Sequence, residues 1–268
     1  MKKLSVLAIA FAAIALVSCG NKSNANASEE DTIVKSFEQT QLEEAVKMHF
    51  DSIAAQIGEK KFTPLYKAIN DGELKLTDEE KKVQPDYLIK PEVANDLQTI
   101  AQKYAALYML NTDKAVANLY GMDVSGYDKA LAKLAADVND PVLEKLSSNG
   151  SFTDIEHDIY TEMEKNGRIH FFWVATCAGT VEQLYIASQN TEKFLQGYDD
   201  ETVANITFRI VLILDAIDNL SVYDAEIQGF AEALEPLKKI NATTVDELKA
   251  ELAEVQAELA ESRKAFLE

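Results

Sequence analysis

Two side chains that could bind a metal ion stand three positions apart. They belong to the segment Asp154-Ile155-Glu156-His157, and on a helix Asp154 and His157 would lie one turn apart on the same face. Carboxylate and imidazole are common ligands of transition metals. A carboxylate-bridged dimetal bundle uses two acid-x-x-His pairs, but Val46 and Gly167 stand three residues before the other two His. The pattern indicates Asp154 and His157 as the leading candidate ligands of an incomplete metal site.

A second group of chemically distinctive side chains lies in the apolar run from Arg168 to Leu195. The run holds Trp173, the only Trp, together with His170 and with Cys177, the only Cys after the N-terminal segment. Helical spacing places these three residues on one broad face. The face could line a ligand pocket, but the commoner structure is a packed core in which Cys177 is a small hydrophobic side chain.

The following apolar run adds an acid to this candidate pocket. Asp218 falls among Val211, Leu214 and Val222 at helical spacing, and a carboxyl buried among apolar neighbours can serve as a general acid. The alternative is a structural acid that caps a helix or pairs with Arg168 or Arg209. Helical spacing assigns Arg209 to the polar face of this second run. The candidate ligand-pocket residues are His170, Trp173, Cys177 and Asp218.

Missing motifs and the overall charge exclude several classes of function. The sequence contains no Gly-rich phosphate loop, no Gly-x-Ser-x-Gly, no His-Glu-x-x-His and no Cys-x-x-Cys-His, so we predict no catalytic residues and no cofactor. The formal charge is −19, which disfavours nucleic acid as a partner because phosphates are repelled.

The elements that must position these residues are helices. Only 10 Gly and 5 Pro occur in 268 residues, and no sustained polar–apolar alternation marks a strand. We predict an all-α bundle of about eight or nine helices around an antiparallel central pair at about 168–196 and 200–222. A capping box at Thr244–Glu247 starts the last helix. Its apolar seam favours packing on the chain's own bundle over a dimeric coiled coil, and is formed by Leu248, Leu252, Val255, Leu259, Ser262 and Phe266.

The N-terminus reads as a secretory leader. Lys2 and Lys3 precede a short apolar core, which ends in Leu16-Val17-Ser18-Cys19-Gly20. This ending resembles the lipobox of bacterial lipoproteins. The resemblance implies cleavage before Cys19, a diacylglycerol on its thiol and an acylated amino group, with palmitate as a typical chain. Two or three chains anchor a protein stably in a membrane. We divide the chain into a signal peptide (1–18), a lipidated Cys with a flexible tether (19–31) and one helical domain (32–268).

The location is inferred from the same resemblance, whereas the role is inferred from the absent catalytic motifs and the available helical surface. Gly20 follows Cys19 where inner-membrane lipoproteins typically carry Asp, which favours the outer membrane and a periplasm-facing domain, with surface exposure as the alternative. Asp31-Thr32-Ile33 and Asp51-Ser52-Ile53 resemble a bacterial O-glycosylation motif, and their modification stays open. We predict a non-catalytic binding or scaffolding role with an envelope protein or peptide as partner. The alternative is a helical bundle that binds a metal or a small molecule.

Overall fold

The computed structural model describes most of the chain after residue 71. The described residues are Met48, Asp51, Leu65, 68–69, 72–140, Leu143, 152–165, 167–221 and 225–268, with the backbone alone at 152–158 and 225–226. They belong to one compact unit, Glu43–Glu268. Cys19, its tether and the first glycosylation motif lie outside the described residues. The same is true of most of a first helix, which the sequence predicts at about 32–57 from the helical spacing of Leu42, Val46, Phe50, Ile53 and Ile57.

The all-α prediction is confirmed, because helices are the only regular elements in the described part of the chain. The α-helices are α1 (Asp78–Lys81), α2 (Ile100–Leu119), α3 (Ser125–Val138), α4 (Phe152–Lys165), α5 (Ile169–Gln189), α6 (Thr191–Phe194), α7 (Asp200–Ser221), α8 (Ala225–Ala231) and α9 (Val245–Ala265). Two 3₁₀ helices span Pro91–Asn95 and Glu232–Lys239. None of the helices in these ranges is long and apolar enough to span a membrane.

Helix α5 is the central element of the bundle. Fourteen of its 21 residues are buried, which agrees with the apolar sequence of this segment. It packs most extensively against α2 and then against α9, and less extensively against its sequence neighbour α7. Gly179 permits the approach of α2, because a Cβ at this position would lie 3.3 Å from Cβ of Tyr108. The main neighbours of the central helix are therefore α2 and α9, and not the helix that follows it as its predicted partner.

The last helix forms as its sequence predicts. The Thr244 hydroxyl accepts a hydrogen bond from the backbone N–H of Glu247, whose carboxylate accepts in return from the backbone N–H of Thr244. All six predicted seam residues are buried: Leu248, Leu252, Val255, Leu259, Ser262 and Phe266. Since this seam packs against α5 and the second 3₁₀ helix, α9 belongs to the chain's own bundle.

The predicted orientation of α7 about its own axis is wrong. Asp218 and Val211, expected on the buried face, are exposed, with Val211 at 53%, whereas Arg209, assigned to the polar face, is only 6% exposed. The buried residues are instead Val203, Ile206, Arg209, Ile210, Ile213, Ala216, Ile217 and Leu220. The apolar run Ile210–Leu214 is continuous, so helical periodicity allows two ways of turning this helix toward the core.

Candidate functional site

The chemically most distinctive place in the described structure is a buried group of charges between three helices. Asp113 lies on α2, Glu182 on α5 and Arg263 on α9. Both carboxylate side chains are 0% exposed and the arginine side chain is 10% exposed. We call these three residues the acid–arginine cluster. It lies where the central helix meets its two most extensive neighbours.

Arg263 binds Glu182 through two parallel hydrogen bonds. Its Nε donates to Oε2 and its Nη2 donates to Oε1, each at 2.7 Å. The remaining Nη1 donates to the backbone carbonyl of Tyr87 at 3.0 Å. The guanidinium also stacks on an aromatic side chain of α5, with its Cζ 3.9 Å from the centre of the Tyr185 ring. These contacts fix the plane of the guanidinium. The charge of Glu182 is compensated by Arg263, which donates to both of its carboxylate oxygens.

Asp113 holds the segment that precedes α2. Its Oδ2 accepts the backbone N–H of Ile89 at 2.8 Å and lies 3.9 Å from Nη2 of Arg263. The Tyr127 hydroxyl of α3 donates to the carbonyl of the same Ile89 at 2.9 Å. Oδ1 of Asp113 is buried and receives no hydrogen bond from a protein donor. One oxygen of this carboxyl is therefore satisfied and the other is not.

The cluster contains two acids and one cation, and this imbalance shifts the pKa of its groups. Burial, followed by the charge of Glu182 and the hydrogen bond to it, raises the pKa of Asp113 well above its usual range; Arg263 opposes this with a smaller effect. Burial alone would lower the pKa of Arg263, but Glu182 and Asp113 outweigh it and raise the value. Burial and the nearby acids also raise the pKa of Tyr127.

The acid–arginine cluster is enclosed, which decides what it can do chemically. A general acid or a metal site must reach a substrate or an ion, whereas both carboxylates here are fully buried and one is bound to a guanidinium at both oxygens. The geometry suits a clamp that joins α9 to α5 and α2. Breaking such a pair leaves an uncompensated buried charge.

The structure separates the predicted ligand-pocket residues. Trp173 and Cys177 are both 0% exposed in the core, and burial raises the pKa of the Cys177 thiol. His170 is partly exposed near the start of α5, with its ring centre 3.9 Å from that of Phe171. Asp218 lies at the surface of α7, so it cannot join Trp173 and Cys177 in an enclosed pocket.

A small cavity lies elsewhere, between α5, α7 and α9. Its volume is about 40 Å³, and its lining includes Thr180, Gln183, Tyr198, Arg209 and Leu248. None of the four predicted pocket residues lines it. Since a drug-sized ligand needs a pocket of roughly 300 Å³ or more, this cavity suits about one water molecule.

The candidate metal ligands lie on one helix, as predicted. Asp154 and His157 both belong to α4, but their side chains lie outside the described structure. Across the residues that the structure describes, no group of three or more His, Cys, Asp and Glu could hold a metal ion. The metal site stays a prediction for these two residues.

Sequence reasoning did not find the acid–arginine cluster, although a signal was present. Asp113 lies three positions before the buried Val116, Glu182 four before Ile186, and Arg263 four after Leu259. A charge at such a position projects from the apolar face of its helix and needs a buried partner.

No protein-family model, curated protein or solved structure matches this chain.

Proposed function

We propose that the protein is a lipid-anchored helical protein of the cell envelope with a non-catalytic binding or scaffolding role. In this proposal Cys19 carries the lipid and the domain faces the periplasm from the outer membrane. A segment of an envelope protein or a peptide binds its surface. The burial of Asp113, Glu182, Trp173 and Cys177 supports a non-catalytic role, because these reactive side-chain types have no access to a substrate.

The observation that carries the binding role is an apolar patch on the outer face of α7. Among the described residues the exposed large apolar side chains are Met48, Val83, Phe208 and Val211. Phe208 and Val211, 39% and 53% exposed, stand three positions apart and are therefore neighbours on one helix face. Ala204 is exposed one turn before Phe208. Leu212, one turn after Phe208, and Leu214, one turn after Val211, are half-buried. We call these five residues the α7 patch.

The charges around the α7 patch indicate the chemistry of its partner. Exposed acids stand at both ends of the helix, with Asp200 and Glu201 at the start and Asp215 and Asp218 toward the end. The only basic residue within α7 is buried. Lys238 lies near Asp218 but pairs with Glu235 at 2.6 Å. The complementary partner is an amphipathic segment with an apolar centre and Lys or Arg at both ends.

Binding of designed peptides to the purified domain tests the α7 patch. An apolar helical peptide with Lys at both ends should bind in a saturable manner by fluorescence anisotropy, and the same peptide with Glu at both ends should not. Phe208→Glu should weaken binding by at least about tenfold, because it places a charge in the apolar contact. Val83→Glu is the matched control, since Val83 is 76% exposed but outside α7.

Two outcomes would contradict this binding role. One is the failure of both peptides to bind, and the other is an equal loss of binding in Phe208→Glu and Val83→Glu.

The anchor is tested separately from the patch. Mass spectrometry of the protein extracted from its native membrane should show a mature N-terminus at Cys19 that carries a diacylglycerol and an amide-linked acyl chain. An unmodified N-terminus would contradict the anchor and leave the patch untouched. Protease treatment of intact cells should spare the protein if the domain faces the periplasm.

A further inference from the structure

We propose that Asp113 and Glu182 share one proton, and that this proton together with Arg263 forms a pH-sensitive latch that holds the C-terminal helix α9 against α2 and α5. The latch is closed while the shared proton is bound, and it weakens as the pH rises and removes this proton. It concerns the acid–arginine cluster and is independent of the binding role of α7.

The hydrogen bonds of the cluster leave one place for a proton. Both oxygens of Glu182 accept from Arg263, and Oδ2 of Asp113 accepts from the backbone N–H of Ile89. Oδ1 of Asp113 receives no hydrogen bond from the described residues. A proton on Asp113 changes this carboxyl from an acceptor without a donor to a donor toward Glu182. The hydrogen-bonding contact between the two carboxyls, which raises the pKa of Asp113, agrees with this arrangement.

The charges around Asp113 require the same proton. Glu182 faces it from α5, Arg263 from α9 and Tyr127 from α3, while Tyr87 lies on the segment before α2. Tyr185 of α5 contacts Arg263. Glu92 of the first 3₁₀ helix acts on the cluster through Tyr127. Arg263 is the only cation among these described groups. With both acids ionised the buried cluster has a net charge of −1, and with one proton it is neutral, which burial strongly favours.

The latch connects the end of the chain to two distant parts. Arg263 lies in the last turn of α9, and its guanidinium binds both Glu182 and the carbonyl of Tyr87. Asp113 in turn holds Ile89, two residues further along the same segment. Ionisation of Asp113 therefore places an unpaired negative charge between α9, α5 and the segment at 87–89, and loosens all three.

The direction of the pH effect follows from proton linkage. In the unfolded chain Asp113 ionises near its ordinary pKa of 3.8, whereas the fold holds its pKa well above that value. The stabilising contribution of the protonated form is complete below pH 3.8 and is lost as the pH rises from there to the raised pKa of the folded state. Over that interval, one proton changes the unfolding equilibrium constant by up to about tenfold per pH unit.

The substitution Asp113→Asn tests the shared proton. The amide oxygen can still accept the Ile89 N–H and the amide nitrogen can donate to Glu182, but nothing at this position titrates. We measure urea unfolding between pH 5 and pH 9 through the fluorescence of Trp173, the only Trp. The ratio of the wild-type unfolding constant to that of Asp113→Asn should rise with pH by up to about tenfold per unit.

Asp215→Asn is the matched control, because it removes the same charge from an exposed site on α7 and should not change the pH dependence. Equal pH dependence of the wild type and Asp113→Asn would overturn the proposal. Infrared spectroscopy of the folded wild-type protein provides a second measurement that does not depend on a variant. A carbonyl band of a protonated carboxylic acid should persist at pH values well above 3.8, the ordinary pKa of Asp, and its absence there would also overturn the proposal.

Hydrogen exchange locates the latch. After correction for the intrinsic pH dependence of exchange, the amides near the end of α9 should lose protection as the pH rises from 7 to 9 in the wild type. They should keep it in Asp113→Asn. Loss of protection spread equally over α3 and α4 would show that the proton affects global stability alone, and would overturn the latch.

Discussion

Arg263 and Glu182, 81 positions apart in the chain, are joined by two hydrogen bonds of 2.7 Å each in the interior of the bundle. The pair connects the last helix to the central one. Its geometry is bidentate. The guanidinium also donates to the carbonyl of Tyr87 and stacks on the ring of Tyr185. Because a buried charge without its partner is costly, the two residues depend on each other much more than a surface pair would.

Removal of one partner of this pair should destabilise the fold strongly. Arg263→Met leaves Glu182 ionised in the interior without its cation, and we expect a loss of about 3–5 kcal/mol in the free energy of unfolding. Lys239→Met is the matched control, since the Lys239–Glu258 pair is about half exposed and should contribute at most about 1 kcal/mol. Urea unfolding measures both variants, and equal losses would contradict the role of the buried pair.

The close approach of α2 and α5 at Gly179 should make that position intolerant of a side chain. The Cβ of Gly179→Ala would lie 3.3 Å from two atoms of Tyr108, and we expect a loss of about 1–3 kcal/mol from overpacking. Gly229→Ala is the control on α8, where a Cβ meets no atom within 4 Å. That substitution should stabilise the protein by about 0.5–1 kcal/mol through helix propensity, as measured by thermal unfolding. Stability changes of the same sign in both variants would contradict a steric conflict at Gly179.

The capping box of α1 should keep the pKa of Glu80 low. Hydrogen bonds from the backbone and the hydroxyl of Thr77, followed by Lys193, lower this pKa to about 2. Because the folded value is lower than the unfolded one, the contribution of Glu80 to stability is present above pH 4.5 and is lost as the pH falls toward 2. In Thr77→Ala the pKa of Glu80 should rise, and an NMR titration of its carboxyl carbon measures the change. An unchanged value would show that the hydroxyl of Thr77 does not contribute, and that the backbone N–H of residue 77 and Lys193 are sufficient to lower it.

Cys177 should be unreactive in the folded protein. Its side chain is 0% exposed and burial raises the pKa of its thiol, so the reactive thiolate is both rare and inaccessible. Treatment with iodoacetamide and mass spectrometry of the Cys177 peptide should show modification only after unfolding. Val211→Cys places a thiol at a 53% exposed position of α7 and should react within the native state. Rapid native modification of Cys177 would indicate that α5 opens to solvent.

The candidate site shows where sequence reasoning reached its limit. The sequence indicated that the first half of α5 is apolar on nearly all sides and that Trp173 and Cys177 share a face, and both residues are in the core. The sequence did not indicate which face of α7 is buried. The apolar run of this helix is continuous, so two rotations about the helix axis satisfy the periodicity. Asp218 was placed inside and lies outside, while Arg209 was placed outside and lies inside.

By itself the sequence determined the helical fold class, the start of α5, the limits of α7, and the start and buried seam of α9. These properties are local: a capping box and a repeat of apolar residues act within a few turns of one helix. The sequence did not determine the end of α5, which was predicted at about 196 and lies at Gln189. Only the tertiary structure decided that Asp113, Glu182 and Arg263 meet. Periodicity identifies the face of a helix that must be buried. The partner of a charge on that face depends on which helices pack together and on their relative shift along the helix axis.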